Sequence, residues 1–257
     1  MGVRAWIAFC VVGSLYAAPA PHQAKQSPPN LILWSWFADD DFRPFADRPI
    51  GVAYLALSLQ FQGQSTVVPD PRYAPVRISP KTYQMAVIRF DYQPDASHRP
   101  GFSATQRTLA VKMIAEIVRF TKPQAVQIDF DAPRSAWPFY RQLLVDLRAH
   151  LGPDIFLSST ALVSWCQTAD SWLAGLPVDE IVPMAFSMGQ ATAAILTMLQ
   201  GGGQFAFPGC RSTIGLEMDP SYTLPAIRPR KNQRAYFFLG GQSWSPDLAA
   251  KAQAALP

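Results

Sequence analysis

The sequence has little charge and only three glutamates. Charged residues make up 16% of its 257 positions, whereas hydrophobic residues make up 49%. Such a chain can bury enough apolar surface to offset the entropy lost on ordering, so it is not disordered. The net charge of +4 is small and its basic residues are scattered. This argues against a nucleic-acid partner, because nucleic-acid-binding proteins usually concentrate basic charge on one face.

Motifs of several common enzyme classes are missing as well. The three histidines are isolated and none has a metal-binding spacing, and the G-x-S-x-G motif of hydrolases does not occur. No Gly-rich phosphate-binding turn follows the first predicted strand, which ends in the letters WSWF. We therefore expect no cofactor and no metal. A metal held by Asp129, Asp131 and a neighbouring residue remains an alternative.

The first 20 residues have the pattern of a secretory signal peptide. Arg4 precedes an apolar run from Trp6 to Tyr16, and small alanines follow that run. A membrane anchor is the alternative, but the run is shorter than the roughly 20 residues of a spanning helix, and no other stretch could span a bilayer. We expect residues 1–20 to be a signal peptide, 21–29 a Pro-rich linker and 30–257 one domain, in the periplasm or secreted.

Strands and helices alternate from residue 31 onward. Strands are predicted over 31–37, 51–61, 84–92, 125–131, 155–161, 180–186, 212–217 and 235–239. Apolar spacing and Gly or Pro breaks predict helices over 105–120, 137–151, 170–176, 191–199 and 246–256. This alternation predicts a parallel sheet. Eight units in roughly 230 residues fit a (β/α)8 barrel with some helices short or missing; an open doubly wound sheet is the alternative.

The fourth strand carries a pair of acids. In a barrel, catalytic groups lie at the carboxyl ends of the strands, and side chains alternate between the interior and the helix layer. The apolar residues of this strand suit the helix side, so Gln127, Asp129 and Asp131 point inward. Carboxylates roughly 6–7 Å apart at Cα raise one pKa, which suits acid–base work. The alternative is a structural role, with hydrogen bonds or an arginine holding the acids.

Other strands add polar groups at the same end. Arg89 and Asp91 share a face near the end of the third strand, and Glu217 ends the seventh. Glu180 opens its strand and belongs at the bottom of the barrel, where we expect a structural role. Glu116 lies in a helix and should be solvated or paired. Glu217 is therefore the one credible catalytic glutamate.

Aromatic residues collect near the same strand ends. Flat aromatic faces beside carboxylates suit sugar rings, whose C–H faces are apolar and whose edges carry hydroxyls. Core packing is the alternative interpretation. These aromatic residues are Trp34, Trp36, Trp165, Tyr222 and Trp244.

The middle of the sequence resembles known proteins. The segments VQIDFDA, FYRQLLVDLRAHL, LSSTALVSWC and VDEIVPMAFSMG resemble a family of uncharacterised exported bacterial proteins, a domain of unknown function with a glycosidase-like barrel. More distantly, the chain is similar to the chitinase-like glycoside hydrolases, which carry D-x-x-D-x-D-x-E at the end of the fourth strand. Asp129 and Asp131 match the second and third acids of that motif. The segment Met184-Ala185-Phe186 and the residue Trp244 match later motifs of that group loosely.

The sequence also departs from the chitinase-like motif. The first acid position holds Val126, and the general-acid position holds Pro133, which cannot donate a proton. The family's substrate-assisted mechanism therefore does not carry over intact. If the chain hydrolyses a glycan with two carboxylates, Glu217 is the candidate acid. Asp131 would then be nucleophile, base or electrostatic stabiliser, tuned by Asp129.

The leading interpretation is an exported glycosidase-like barrel that acts on a carbohydrate or cell-envelope glycan. A non-catalytic carbohydrate-binding barrel that has lost its general acid is the second interpretation, and a purely structural cell-envelope protein the third. The expected substrate-binding residues are Trp34, Trp36, Arg89, Asp91, Gln127, Trp165, Met184, Tyr222 and Trp244.

Two cysteines remain once the signal peptide is removed. In an oxidising compartment Cys166 and Cys210 could pair. Cys166 follows the fifth predicted strand and should lie near the top of the barrel, whereas Cys210 precedes the seventh and should lie near the bottom. Cysteines that far apart cannot form a bridge. We therefore expect two unpaired thiols.

Overall fold

The computed structural model describes residues 25–36, 39–92, 99–218, 227–240 and 242–257. Eight parallel strands form a closed barrel, because the first barrel strand in the chain pairs with both the second and the last. The predicted (β/α)8 barrel is therefore confirmed, and the open sheet is wrong. The strands are β1 (Leu31–Ser35), β2 (Ile50–Gln62), β3 (Tyr83–Tyr92), β4 (Ala125–Asp129), β5 (Phe156–Leu162), β6 (Glu180–Met184), β7 (Thr213–Glu217) and β8 (Arg234–Phe238).

Helices follow four of these strands within the described part of the chain. They are α1 (Ala104–Thr121) after β3, α2 (Trp137–Leu151) after β4, α3 (Thr192–Gln200) after β6 and α4 (Pro246–Ala254) after β8. Ser103 begins α1 with a capping box, in which Ser103 and Gln106 bond reciprocally. The helix predicted over 170–176 is wrong, since these residues form turns. Seven residues interrupted by Gly175 are too few to offset helix nucleation.

Strands β2 and β3 continue beyond their barrel partners. The extension of β2 folds back on Thr66–Pro71 in an antiparallel hairpin. Beside it, the short strands Asp40–Asp41 and Val76–Arg77 pair with each other. No helix among the described residues is both long and apolar enough to cross a membrane.

Apolar side chains pack in two layers, one inside the barrel and one between barrel and helices. Trp34, Met85 and Tyr236 belong to the inner layer. Val126 and Ile128 belong to the outer layer, with the apolar faces of α1 and α2. This alternation confirms the predicted orientation of β4. It also directs the polar residues of β4 toward the interior.

Glu180 closes the bottom of the barrel, as predicted. It is buried, forms an ion pair with Arg234 and accepts a hydrogen bond from the Tyr236 hydroxyl. Burial raises the pKa of Glu180, against the effect of the nearby guanidinium. The prediction that Glu116 is solvated or paired is also confirmed, because its carboxylate pairs with Arg119 at 2.7 Å. Neither glutamate lies near the barrel mouth.

The two cysteines form a disulfide, so the expectation of free thiols is wrong. The sulfur atoms of Cys166 and Cys210 are 2.05 Å apart and the Cα atoms 6.0 Å apart. After β5 the chain turns back at once through a 3-10 turn, Val163–Cys166, and residues 163–179 contain no α-helix. The segment before β7 lies against this turn, with the Phe207 amide donating to the Cys166 carbonyl at 3.1 Å. Without a helix between them, the two loops meet.

Candidate functional site

A cavity of about 350 Å³ opens at the carboxyl ends of the barrel strands. Its volume is near the lower end of the roughly 300–1,000 Å³ of ligand sites. One side is aromatic and apolar, and the other carries two acids and an arginine. The lining residues are Trp34, Trp36, Arg89, Asp129, Asp131, Thr160, Leu162, Val163, Ser164, Met184, Phe186, Ser187, Met188 and Phe238.

Asp129 lies at the bottom of the polar side. It ends β4 and is 6% exposed. The Thr160 hydroxyl donates to Asp129 Oδ1 at 2.7 Å, and Arg89 Nη1 lies 3.5 Å from Asp129 Oδ2. Burial, and then the charge of Asp131, raise the pKa of Asp129 to about 6. Asp129 therefore gains or loses its proton in the mildly acidic range.

Asp131 lies above Asp129 and is exposed to the cavity. Partial removal from water raises the pKa of Asp131, although Arg89 opposes that shift. Arg89 also donates from Nε to Asp91 Oδ1 at 2.9 Å. The arginine thus bridges the ends of β3 and β4, and the four polar residues come together as the sequence predicted. Within the described chain, no group of three or more His, Cys, Asp or Glu side chains is arranged to hold a metal.

The aromatic side of the cavity combines predicted and unpredicted residues. Trp34, Trp36 and Met184 line it, as expected. Phe186 and Phe238 line it too, and their rings stack with centroids 5.7 Å apart and planes inclined by 22°. Sequence reasoning missed both phenylalanines as ligand contacts. The sequence contained a signal for Phe186, because this residue follows Met184 by two positions and therefore lies on the same face of the chain.

Two predicted binding residues do not line the cavity. Gln127 is fully buried; its Oε1 accepts from Trp34 Nε1 at 2.7 Å, and its Nε2 donates to Ser158 Oγ at 3.0 Å. Trp244 is 5% exposed and donates from Nε1 to the Trp34 carbonyl at 2.8 Å. Neither residue reaches the cavity, so the expectation that they contact a ligand there is wrong. Each is hydrogen-bonded to Trp34 instead. Their side-chain polar groups form hydrogen bonds within the protein.

Trp165 lies outside the barrel, so its predicted place at the mouth is wrong. The 3-10 turn after β5 directs it outward, where it packs edge-to-face on Trp172 with centroids 5.0 Å apart. Trp172 in turn stacks on Trp137 at 4.9 Å. Trp165 therefore belongs to a cluster beside the disulfide. Tyr222 was also expected at the mouth, and it lies outside the described residues.

Glu217 ends β7 and is exposed, as predicted, but it does not line the cavity. A Cβ built on Gly240 would lie 3.2 Å from Glu217 Oε1, so the carboxylate lies against the turn after β8. β7 is three strands from β4, roughly 14 Å along the wall at about 4.8 Å per strand. The structure does not bring Glu217 to the acid pair, and its role as an acid stays a prediction.

Comparisons with known proteins agree with this fold. No family model and no curated protein matches the sequence. Among solved structures, a putative Chitinase A from Streptomyces coelicolor is 13% identical, with 88% of this chain and 95% of that chain covered and a TM-score of 0.54. A family GH18 chitinase from Chromobacterium violaceum is 12% identical, with 88% and 81% covered and a TM-score of 0.50. These likenesses show that the chain is a (β/α)8 barrel, distantly similar in fold to these chitinases.

Proposed function

We propose that this chain binds a glycan in the cavity at the barrel mouth. The observation that carries the proposal is the division of the cavity into an aromatic side and a carboxylate side. A sugar ring can place its apolar face on Trp36 or Phe238 and direct its hydroxyls to Asp131. Two proteins of similar fold are a putative chitinase and a chitinase, which supports a carbohydrate as the ligand class.

Hydrolysis of that glycan is the second candidate function. It is favoured by the juxtaposition of Asp129 and Asp131, because both have raised pKa values at the end of one strand. Two-carboxylate hydrolysis needs one protonated and one ionised group. In this candidate, Asp131 is the reacting carboxyl and Asp129 tunes it. Binding without hydrolysis takes precedence, since Pro133 cannot act as acid and Glu217 does not line the cavity.

A binding screen tests the first candidate. Wild type, Trp36→Ala and Phe120→Ala are titrated with oligomers of chitin, cellulose and peptidoglycan. We expect Trp36→Ala to weaken binding about tenfold, the effect of losing about 1.4 kcal/mol of ring contact. Phe120 is 71% exposed on α1 and remote from the cavity, so Phe120→Ala should bind like wild type. No binding by wild type, or equal loss in both variants, would remove the proposal.

Product analysis of the same mixtures separates the two candidates. If the chain is a hydrolase, wild type releases shorter sugars and Asp131→Asn does not, while both bind the glycan. If it is a binding protein, neither releases product. Equal release by both proteins would rule out the role assigned to Asp131.

We also propose that the chain is exported, to the periplasm or beyond. The disulfide between Cys166 and Cys210 supports this location, because disulfides persist in oxidising compartments and are rare in the cytosol. The signal-like composition of residues 1–20 supports it independently. A cell-envelope glycan would be within reach of a protein in that location.

A further inference from the structure

Two more depressions lie beside the cavity, at the rim between β3 and β4. The first, of about 260 Å³, shares Arg89, Asp129 and Asp131 with the cavity and adds Tyr92. The second, of about 730 Å³, begins at Tyr92. Each depression shares lining residues with the next, so the three lie side by side along this rim. We call the second depression, beyond Tyr92, the outer groove.

The outer groove has an aromatic floor and a charged edge. Phe102 packs against Tyr92 with ring centroids 5.9 Å apart and against Phe139 at 5.2 Å. Arg99 lies exposed along the groove, and Pro133 forms part of its wall. An aromatic floor beside a guanidinium repeats the chemistry of the cavity. It suits a further sugar unit better than an apolar peptide.

The backbone of Phe102 is held in an uncommon conformation. Its φ of 47° lies in the left-handed region, which side chains other than glycine seldom adopt. The capping box of Ser103 and Gln106 follows directly and keeps the turn in place. Backbone strain of this kind clusters at binding sites. Here it accompanies the packing of the Phe102 ring between Tyr92 and Phe139.

We propose that the outer groove is a second glycan subsite, so that the protein binds a polymer rather than a short sugar. This inference rests on the proposed function of the cavity. One end of the polymer occupies the cavity, and later units cross Arg89 and lie on Tyr92 and Phe102. The cavity is small for a ligand site, so it holds only a short piece of the chain. A ligand that reaches both subsites binds more tightly, because the second contact is intramolecular.

The test compares oligomer lengths in a variant that blocks the outer groove. Ser135 is exposed and lines it, so Ser135→Trp fills the groove without entering the core. Ser212 is exposed at the opposite end of the barrel, before β7, and Ser212→Trp is the matched control. The chitin dimer and hexamer, with the corresponding cellulose oligomers, are titrated calorimetrically. Mass spectrometry checks that the hexamer stays intact, and thermal melting checks that each variant folds.

A hexamer offers one site several positions at which a dimer unit can bind. After correction for these positions, we expect wild type to bind the hexamer more than about tenfold tighter than the dimer. Ser135→Trp should lose this advantage and keep its dimer affinity, whereas Ser212→Trp should resemble wild type. Equal affinity for dimer and hexamer in wild type, or an advantage that survives Ser135→Trp, would overturn the outer subsite and leave the cavity proposal standing. Failure of every oligomer to bind wild type would overturn both.

Discussion

Asp129 is a carboxyl group that the barrel buries beside a second carboxyl. Thr160 and Arg89 stabilise its charged form, yet burial and Asp131 together raise its pKa to about 6. The unfolded chain has an ordinary aspartate at this position, so the folded state binds a proton more tightly. A raised carboxyl pKa contributes stability at low pH, and that contribution is lost as pH rises through the folded pKa.

We predict that Asp129 lowers the free energy of unfolding by up to about 3 kcal/mol between pH of about 4 and 7, at about 1.36 kcal/mol per pKa unit. Asp129→Asn should lack this loss, so its stability relative to wild type should rise with pH. Urea unfolding across that range measures the difference. The exposed Asp170 provides the control, since Asp170→Asn should parallel wild type. A difference between wild type and Asp129→Asn that does not vary with pH would contradict the prediction.

The loop elements around β5 and β7 depend on the disulfide. Both cysteines are fully buried in the outer core, next to the cluster that contains Trp165. The bridge closes a loop with a sequence separation of 44 residues. A cross-link of that span restricts the unfolded chain strongly, because loop-closure entropy increases with loop length. The disulfide, rather than a helix after β5, links the turn after β5 to the segment before β7.

Removal of the bridge should destabilise the protein. We predict that the double variant Cys166→Ala, Cys210→Ala loses about 4 kcal/mol of unfolding free energy, from the entropy of a loop of this length. Denaturant unfolding without reductant measures it. The reduced wild type serves as a second measurement and should lose a similar amount. A variant as stable as oxidised wild type would show that the bridge does not constrain the unfolded state.

At the scale of the whole molecule, closure of the barrel brings distant segments of the chain to one mouth. Trp34 near the start and Phe238 near the end line the same cavity as Asp131. Their proximity follows from the pairing of β1 with β8. The outer groove arises in the same way, where the end of β3 meets the start of α1 and α2.

Export is tested on the full chain, which includes residues 1–20. We predict that the full chain, produced in a bacterium with a periplasm, is recovered outside the cytoplasm and shortened by about 20 residues. Mass spectrometry of the intact protein gives its new first residue. A chain lacking residues 1–20 should remain in the cytoplasm as the control. An untrimmed full-length protein in the cytoplasm would contradict the prediction.

Local periodicity was enough to predict the alternating strands and helices and the inward-facing acid pair, whereas the open sheet stayed an alternative until the pairing of β1 with β8 closed the barrel. Periodicity of two and of 3.6 residues depends on the local backbone, so α2 was predicted over its observed bounds, Trp137–Leu151. The same alternation placed Asp129 and Asp131 on the interior side of β4. Burial of one strand face is a strong and local constraint, which a single sequence displays directly.

Contacts between distant segments determine which aromatic residues reach the cavity and which cysteines form the bridge. Trp165 and Trp244 follow strands as Trp36 does, yet irregular loops turn Trp165 outward and bury Trp244 in the layer between barrel and helices. The bridge between Cys166 and Cys210 likewise depends on a turn that replaces a helix. The path of a loop depends on packing between segments that are far apart in the chain, so local periodicity in the sequence does not predict it.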